Sequence, residues 1–263
     1  MENVITSKSN EKAKFIKALY DKKGRIKNNC FYFEGIKVVN EVLDKKEAIN
    51  LKFIACSKEI LENVNGGNNI LERLKNYRNL EVIYFSKEVF ESLTDTKTPQ
   101  GILAVIEIPK YDKINDKGNI LILDKIQDTG NIGTIIRSAD AFGIDTIVCT
   151  KGTADCYSPK VLRSTMGSIL REKIIYLDDI HEIKNIGYTI VGTVLDDKSI
   201  SLENLKISKK MAFVMGNEAN GISNEVKKLC DIFVKIPMTG NAESLNVAVA
   251  ASIILYKQFE KNE

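Results

Sequence analysis

Ile236-Pro237-Met238-Thr239-Gly240-Asn241-Ala242-Glu243-Ser244-Leu245-Asn246-Val247-Ala248-Val249-Ala250 joins the end of a strand to a polar loop and an apolar helix. Pro237 lacks a backbone donor and stops the extended run over residues 232–236. Gly240 and Asn241 suit a tight turn. A helix is expected from Ser244, whose hydroxyl can cap free N–H groups, with Asn246 in its first turn. Packing alone accounts for Pro237 and Gly240. It does not account for a hydroxyl and a side-chain amide on either side of Leu245. In an open α/β sheet, ligands bind at the carboxyl ends of strands, where a junction of this kind would lie. The segment reads as a binding loop.

Working outward, residues 119–124 form a short run apolar on both faces, as a buried parallel strand requires. A loop over 125–131 leads into a helix over 132–142, which Gly143 closes. Further strands are expected at 146–149, 188–194 and 211–216. The first part of the chain reads as strands at 30–33, 52–56, 80–85 and 102–106, with helices at 35–43 and around 70–75. Strands alternating with helices give an α/β class. Residues 109–118 are rich in Lys, Asp and Asn, with little to bury, and mark a linker between domains at 1–108 and 119–263.

Composition fits this frame. The chain has 263 residues, 44% hydrophobic and 28% charged, enough for one large or two modest domains with a sizeable core. Lys8, Lys12, Lys14 and Lys17 precede any apolar run, so no secretory leader is expected. The apolar stretch 247–256 is too short to span a bilayer. The five cysteines are odd in number and form no C-x-x-C, which argues against a disulfide framework or zinc site and for a reduced, cytoplasmic setting. The single histidine, His181, lies in a polar stretch, so neither a metal site nor a His-based triad is expected.

Net charge is +3, but residues 1–27 hold eight basic and three acidic side chains. Phe15, Ile16, Leu19 and Tyr20 recur there at helical spacing and leave the lysines to solvent. A solvated lysine face and a phosphate-contacting arm explain that pattern equally well. In the second case Lys8, Lys12, Lys14, Lys17 and Arg25 would meet nucleic acid.

Three strand ends in the second part carry polar, glycine-containing loops. The first runs Asp124-Lys125-Ile126-Gln127-Asp128-Thr129-Gly130-Asn131-Ile132-Gly133-Thr134-Ile135-Ile136-Arg137. Its Arg137 stands beside an apolar helix face, where pairing with Asp140 at i+3 is the structural explanation. The second is Met215-Gly216-Asn217-Glu218-Ala219-Asn220-Gly221-Ile222-Ser223, whose two glycines suggest close backbone approach to a ligand. The third is the 236–246 loop. Neither the dinucleotide fingerprint G-x-G-x-x-G nor a G-x-x-x-x-G-K-[ST] phosphate loop is present.

In order and spacing, these three motifs resemble the SpoU/TrmH family of SPOUT RNA 2′-O-ribose methyltransferases, over residues 119–256. Phe33-Glu34-Gly35 with its following apolar run, and Thr98-Pro99-Gln100-Gly101, resemble that family's accessory RNA-binding domain of L30e-like fold. Thr129 departs from the pattern, where proline usually precedes the Gly-Asn pair. That change would loosen the loop without removing a functional group.

The resemblance implies an α/β domain whose C-terminal segment is threaded as a deep trefoil knot. It also implies S-adenosyl-L-methionine as cofactor, held by Thr193, Val194, Gly216, Ile236, Met238, Ser244 and Leu245. Arg137, Asn131, Glu218, Ser244 and Asn246 would carry methyl transfer to RNA. Arg137 would orient the ribose hydroxyl and also touch the RNA, with Glu218 the carboxylate at hand if a true base is required. A homodimer through the methyltransferase domain is implied, helped by an apolar C-terminal helix. Ribosomal RNA is the favoured target, with transfer RNA, or a non-catalytic RNA-binding role on the same fold, as alternatives.

Overall fold

A computed structural model describes the chain except residues 1, 2, 112, 115–117, 197 and 263. Glu2 of the basic arm and four positions of the expected linker thus lie outside the described residues. The chain divides into two compact units: Met1–Lys110 with Tyr157–Arg163, and Tyr111–Cys156 with Ser164–Glu263.

The first unit holds strands β1 (Val4–Ile5), β2 (Cys30–Glu34), β3 (Leu51–Cys56), β4 (Val82–Phe85) and β5 (Ile102–Glu107), in the order β1-β4-β3-β5-β2. β5 runs antiparallel to both neighbours, and the other pairs are parallel. The two motifs of this unit meet at one turn. Gln100 Oε1 accepts the Ile36 N–H (2.8 Å), and the Thr96 hydroxyl donates to Glu34 (2.6 Å). These residues lock the β2 end, a structural use of both segments.

The basic arm forms two helices, Glu11–Ala18 and Lys22–Asn28. Ala13, Ile16 and Leu19 are buried, and Lys8, Lys14 and Lys17 are exposed. Arg25 corrects the expectation of a phosphate contact. It is 3% exposed, and its guanidinium donates to the carbonyls of Leu19 (2.7 Å) and Tyr20 (2.6 Å), closing the end of the preceding helix. Lys12 is partly committed as well, to Glu81 at 2.8 Å and the face of Phe53.

The second unit is built on strands β6 (Ile120–Leu123), β7 (Thr146–Thr150), β8 (Lys173–Leu177), β9 (Thr189–Thr193), β10 (Ile200–Ser201), β11 (Met211–Met215) and β12 (Ile232–Lys235). Their order is β10-β12-β9-β11-β6-β7-β8, with every pair parallel. β6, β7 and β11 are buried along their whole length, which is why they read as unbroken apolar runs. Two helices of this unit pack against each other. Helix Thr129–Ala141 starts earlier than expected because Asp128 caps it, accepting the Asn131 N–H at 2.7 Å. Thr129 is its first residue, where the backbone N–H has no helical partner. A proline would fit there, and threonine leaves the cap intact. The C-terminal helix is Val247–Asn262, and hydroxyls at Ser138 and Ser252 (2.7 Å) join the two helices.

Glu172 is a buried carboxyl in this unit, 5% exposed, with Oε2 lacking a partner among the described residues. Burial, followed by the charges of Asp140 and Asp145, outweighs Arg171 and raises its pKa from 4.5 to about 8. The folded chain therefore keeps a proton that the unfolded chain releases across this window. Its contribution to stability is complete below pH 4.5 and is lost as pH rises through about 8. The slope is at most ~1.4 kcal/mol per pH unit. In denaturant titrations from acid to mildly alkaline pH, Glu172→Gln is expected to decline less than the parent. Parallel curves would mean that Glu172 is ionised when folded.

Candidate active site

The carboxyl ends of β12, β9, β11 and β6 are neighbours in the sheet, so the loops that follow them gather at one edge. The loops after β9, β11 and β12 line a cavity of about 900 Å³. Thr193, Val194, Gly216, Ile236, Met238, Ser244 and Leu245 all line it, together with Glu218 and Asn246. The Thr193 hydroxyl is turned into the sheet, donating to the Val214 carbonyl at 2.7 Å.

Two features hold the loops. Asp124 is fully buried at the end of β6, accepting from the Thr150 hydroxyl (2.8 Å) and the Ser223 N–H (2.6 Å), so one carboxylate ties three loops. Asn217 and Gly221 exchange both backbone hydrogen bonds at 2.9 Å, folding 217–221 into a tight hairpin. The close approach that requires glycine at 216 is to this hairpin. A Cβ there would lie 2.3 Å from the Gly221 carbonyl carbon and 2.4 Å from the Ile222 nitrogen. The expected approach to a ligand is not needed to explain it.

Polar side chains from the three motifs form one chain. Asn246 Nδ2 donates to Asn131 Oδ1 (2.9 Å), and Asn131 Nδ2 donates to Glu218 Oε1 (3.0 Å). Glu218 also accepts the backbone N–H groups of Asp128 (3.2 Å) and Gln127 (3.4 Å), at the start of helix 129–141. Burial raises the Glu218 pKa, but the Asn131 amide and these N–H donors outweigh it and hold the carboxyl below its usual value. A carboxylate so satisfied is a clamp, poorly suited to take a proton at neutral pH.

Asn246, and not Ser244, caps the C-terminal helix: its Oδ1 accepts the N–H groups of Ala248 (2.9 Å) and Val249 (3.3 Å). That corrects the expected helix start by three residues and leaves the exposed Ser244 in the loop that lines the cavity. Arg137 lies on the exposed face of helix 129–141. The Asp140 expected to neutralise it is instead bound by Arg171, with Nε at 2.8 and 2.9 Å from its two oxygens and Nη2 at 2.6 Å. Among the described residues, the Arg137 side chain has no hydrogen bond or ion pair. An unpaired guanidinium thus stands on the helix that Glu218, Asn131 and Asn246 fasten to the cavity rim.

Residues 118–256 match the model of the SpoU rRNA Methylase family, and residues 10–104 match an MRM3-like substrate binding domain. The chain is 36% identical over 258 residues to the 23S rRNA (guanosine(2553)-2′-O)-methyltransferase RlmP of Bacillus subtilis, covering 96% of this chain and 97% of that protein. The chain belongs to the SpoU rRNA methylase family. An S-adenosylmethionine-bound rRNA methyltransferase from Sinorhizobium meliloti superposes with a TM-score of 0.84 at 29% identity, over 98% of this chain and 97% of that one. AviRb, a SpoU methyltransferase from Streptomyces viridochromogenes in complex with the same cofactor, gives 0.82 at 26% identity, over 96% and 98%.

As a SpoU protein the chain is an S-adenosylmethionine-dependent RNA methyltransferase. Its cavity suits that cofactor on its own terms. Ile236, Leu245, Phe233 and Ile222 give apolar walls for an adenine. Among the described residues the lining charges are balanced, Asp196, Glu218 and Glu243 against Lys198, Lys227 and Lys235, and none of them is an arginine that could seat a pyrophosphate. Ser199 Oγ is buried at the lining without a partner among the described residues, a polar atom available to a ligand. Ser199 and Asp124 are the site features that sequence reading missed. Asp124 alone had a signal, an acidic residue ending an apolar strand. Among the described residues no helix is long and apolar enough to cross a membrane.

Proposed function

We propose that this SpoU enzyme methylates a ribose 2′-hydroxyl of ribosomal RNA in the cytoplasm. The observation that carries this reading is the Asn246–Asn131–Glu218 chain. It fastens to the cavity the helix bearing unpaired Arg137. The whole-length relative from Bacillus subtilis is named for a 23S rRNA 2′-O-methylation, which supports ribosomal over transfer RNA.

S-adenosylmethionine, when bound, supplies a methyl group already activated by its positive sulfur. What remains is alignment and a route for the hydroxyl proton. A guanidinium stays protonated and is a poor base, so Arg137 donates hydrogen bonds to the 2′-oxygen and stabilises its developing negative charge, while the hydroxyl proton passes to the neighbouring RNA phosphate. Asn131 sets the pitch of the helix that carries Arg137. Glu218, kept ionised by its donors, fixes Asn131, and Asn246 joins that array to the C-terminal helix. Thr193, Val194, Gly216, Ile236, Met238, Ser244 and Leu245 hold the cofactor.

Residues 1–108 form the RNA-binding domain, joined by a linker at 109–118 to the methyltransferase domain over 119–263. Exposed Lys8, Lys14 and Lys17 supply its phosphate contacts, with Lys12 in a lesser share because of Glu81. The reading includes the threaded C-terminal segment of the SPOUT fold and a homodimer. Val249, Ile253, Tyr256 and Phe259 form an exposed apolar stripe on the C-terminal helix, which supports burial against a second copy. Mapping 2′-O-methylriboses in ribosomal RNA from a deletion strain and its parent tests the target. One site lost on deletion is expected; an unchanged ribosomal map with a methyl lost from transfer RNA would transfer the assignment to the latter.

A further inference from the structure

Lys125 is the second residue after β6, at the same sheet edge as the cavity. Its φ of +58° is left-handed, a conformation that glycine or asparagine adopts cheaply and a long side chain rarely does. The strained backbone is held on both sides. Its N–H donates to the hydroxyls of Thr150 (3.2 Å) and Thr153 (3.1 Å), and its carbonyl accepts Asn217 Nδ2 at 2.8 Å. Asn217 Nδ2 also reaches Glu218 Oε2 at 3.4 Å, so Lys125 stands one side chain from the clamp that fixes Asn131.

These bonds explain the backbone shape but not the choice of lysine, since all are made by main-chain atoms. Nor does ion pairing explain it: Glu225 lies 3.6 Å away, and the two side chains are 48% and 80% exposed, a pair that contributes little. Strained residues held by their surroundings cluster at functional sites. Here a cation is fixed at the root and only weakly paired at the tip, three residues before the cap of the helix that bears Arg137.

We propose that the Lys125 ammonium is a substrate-positioning contact, meeting an RNA backbone phosphate next to the ribose that is methylated. This rests on the reading of the site as an RNA 2′-O-methyltransferase. Glu225 holds the side chain in place until the phosphate replaces it. Such a contact is blind to sequence and sensitive to salt, and it sets register along the strand.

The test uses the full-length chain, with ribosomal RNA from a deletion strain as probe. Lys125→Gly removes the ammonium and also accepts a positive φ, so folding is retained and any loss on RNA belongs to the side chain. Expected are a thermal midpoint and S-adenosylmethionine affinity near those of the parent, a roughly tenfold rise in KM for RNA, and a salt slope of RNA binding reduced by about one. Lys125→Arg should recover most of the KM. Glu225→Gln, which removes only the ion pair, should leave KM near the parent value. Unchanged KM and salt slope in Lys125→Gly, with the parent transferring methyl to this RNA, would overturn the proposal and leave the function intact. A parent that transfers no methyl to RNA would overturn both.

Discussion

Arg137→Ala is expected to reduce methyl transfer by about two to three orders of magnitude, the usual effect of deleting one donor to a developing oxyanion. Its guanidinium has no partner among the described residues, because Asp140 is taken by Arg171. No ion pair is lost with it, and an exposed helical position tolerates alanine. The thermal midpoint and the calorimetric affinity for S-adenosylmethionine should therefore stay near those of the parent. Arg137→Lys keeps the charge but loses the planar fork, and should recover only a small part of the rate. Alanine activity within a few-fold of the parent would show that Arg137 does not stabilise the 2′-oxygen and that a general base carries the step. Glu218 would be a weak successor, since its oxygens are engaged and its carboxyl is held below the usual range.

Gly216→Ala should do the larger damage to the cofactor site. The glycine does not have a positive φ, so the demand is purely spatial. A Cβ would meet backbone atoms of Gly221 and Ile222 at 2.3 and 2.4 Å, and backbone cannot rotate aside. The 217–221 hairpin must open, taking with it Glu218 and the Asn217 bond to the Lys125 carbonyl. A loss of about 1–3 kcal/mol in stability is expected from the overpacking. A fall in cofactor affinity of at least about tenfold should accompany it, since a shift of ~1.4 kcal/mol in binding is already tenfold. Gly240→Ala is the internal control. It lies in a cavity-forming loop, yet nothing stands within 4 Å of its added Cβ, so affinity should be unchanged. Equal effects at both positions would show general loop sensitivity instead of a specific clash.

The strands of the second unit were legible because burial on both faces leaves an unbroken apolar run, as in Ile120–Leu123 and Met211–Met215. β8 escaped notice, since Lys173–Leu177 is a short run with an exposed Tyr176 and an exposed Asp178 behind it. The cavity residues were legible through a family resemblance, which brings distant loops together in a way that periodicity cannot. Arg25 shows the opposite case. In the sequence it is one more cation in a basic arm, and only the fold reveals that two carbonyls at a helix end claim it. The helix beginning at Val247 was misplaced because Ser244 and Asn246 are both good caps, and choosing between them needs the Asn131 contact from 115 residues away. Arg171 and Lys125 act through partners distant in sequence, and no local pattern marks them.

The central claim is that this chain moves a methyl group from S-adenosylmethionine to a ribose oxygen of RNA. Its most direct test is transfer by the purified protein of isotope-labelled methyl from S-adenosylmethionine to unmodified ribosomal RNA, followed by digestion to nucleosides and mass spectrometry. The label should appear in one 2′-O-methylnucleoside, on the sugar fragment, at a rate that falls by about two to three orders of magnitude with Arg137→Ala. Label on a base fragment, or no label from a preparation that binds both S-adenosylmethionine and RNA, would contradict the account.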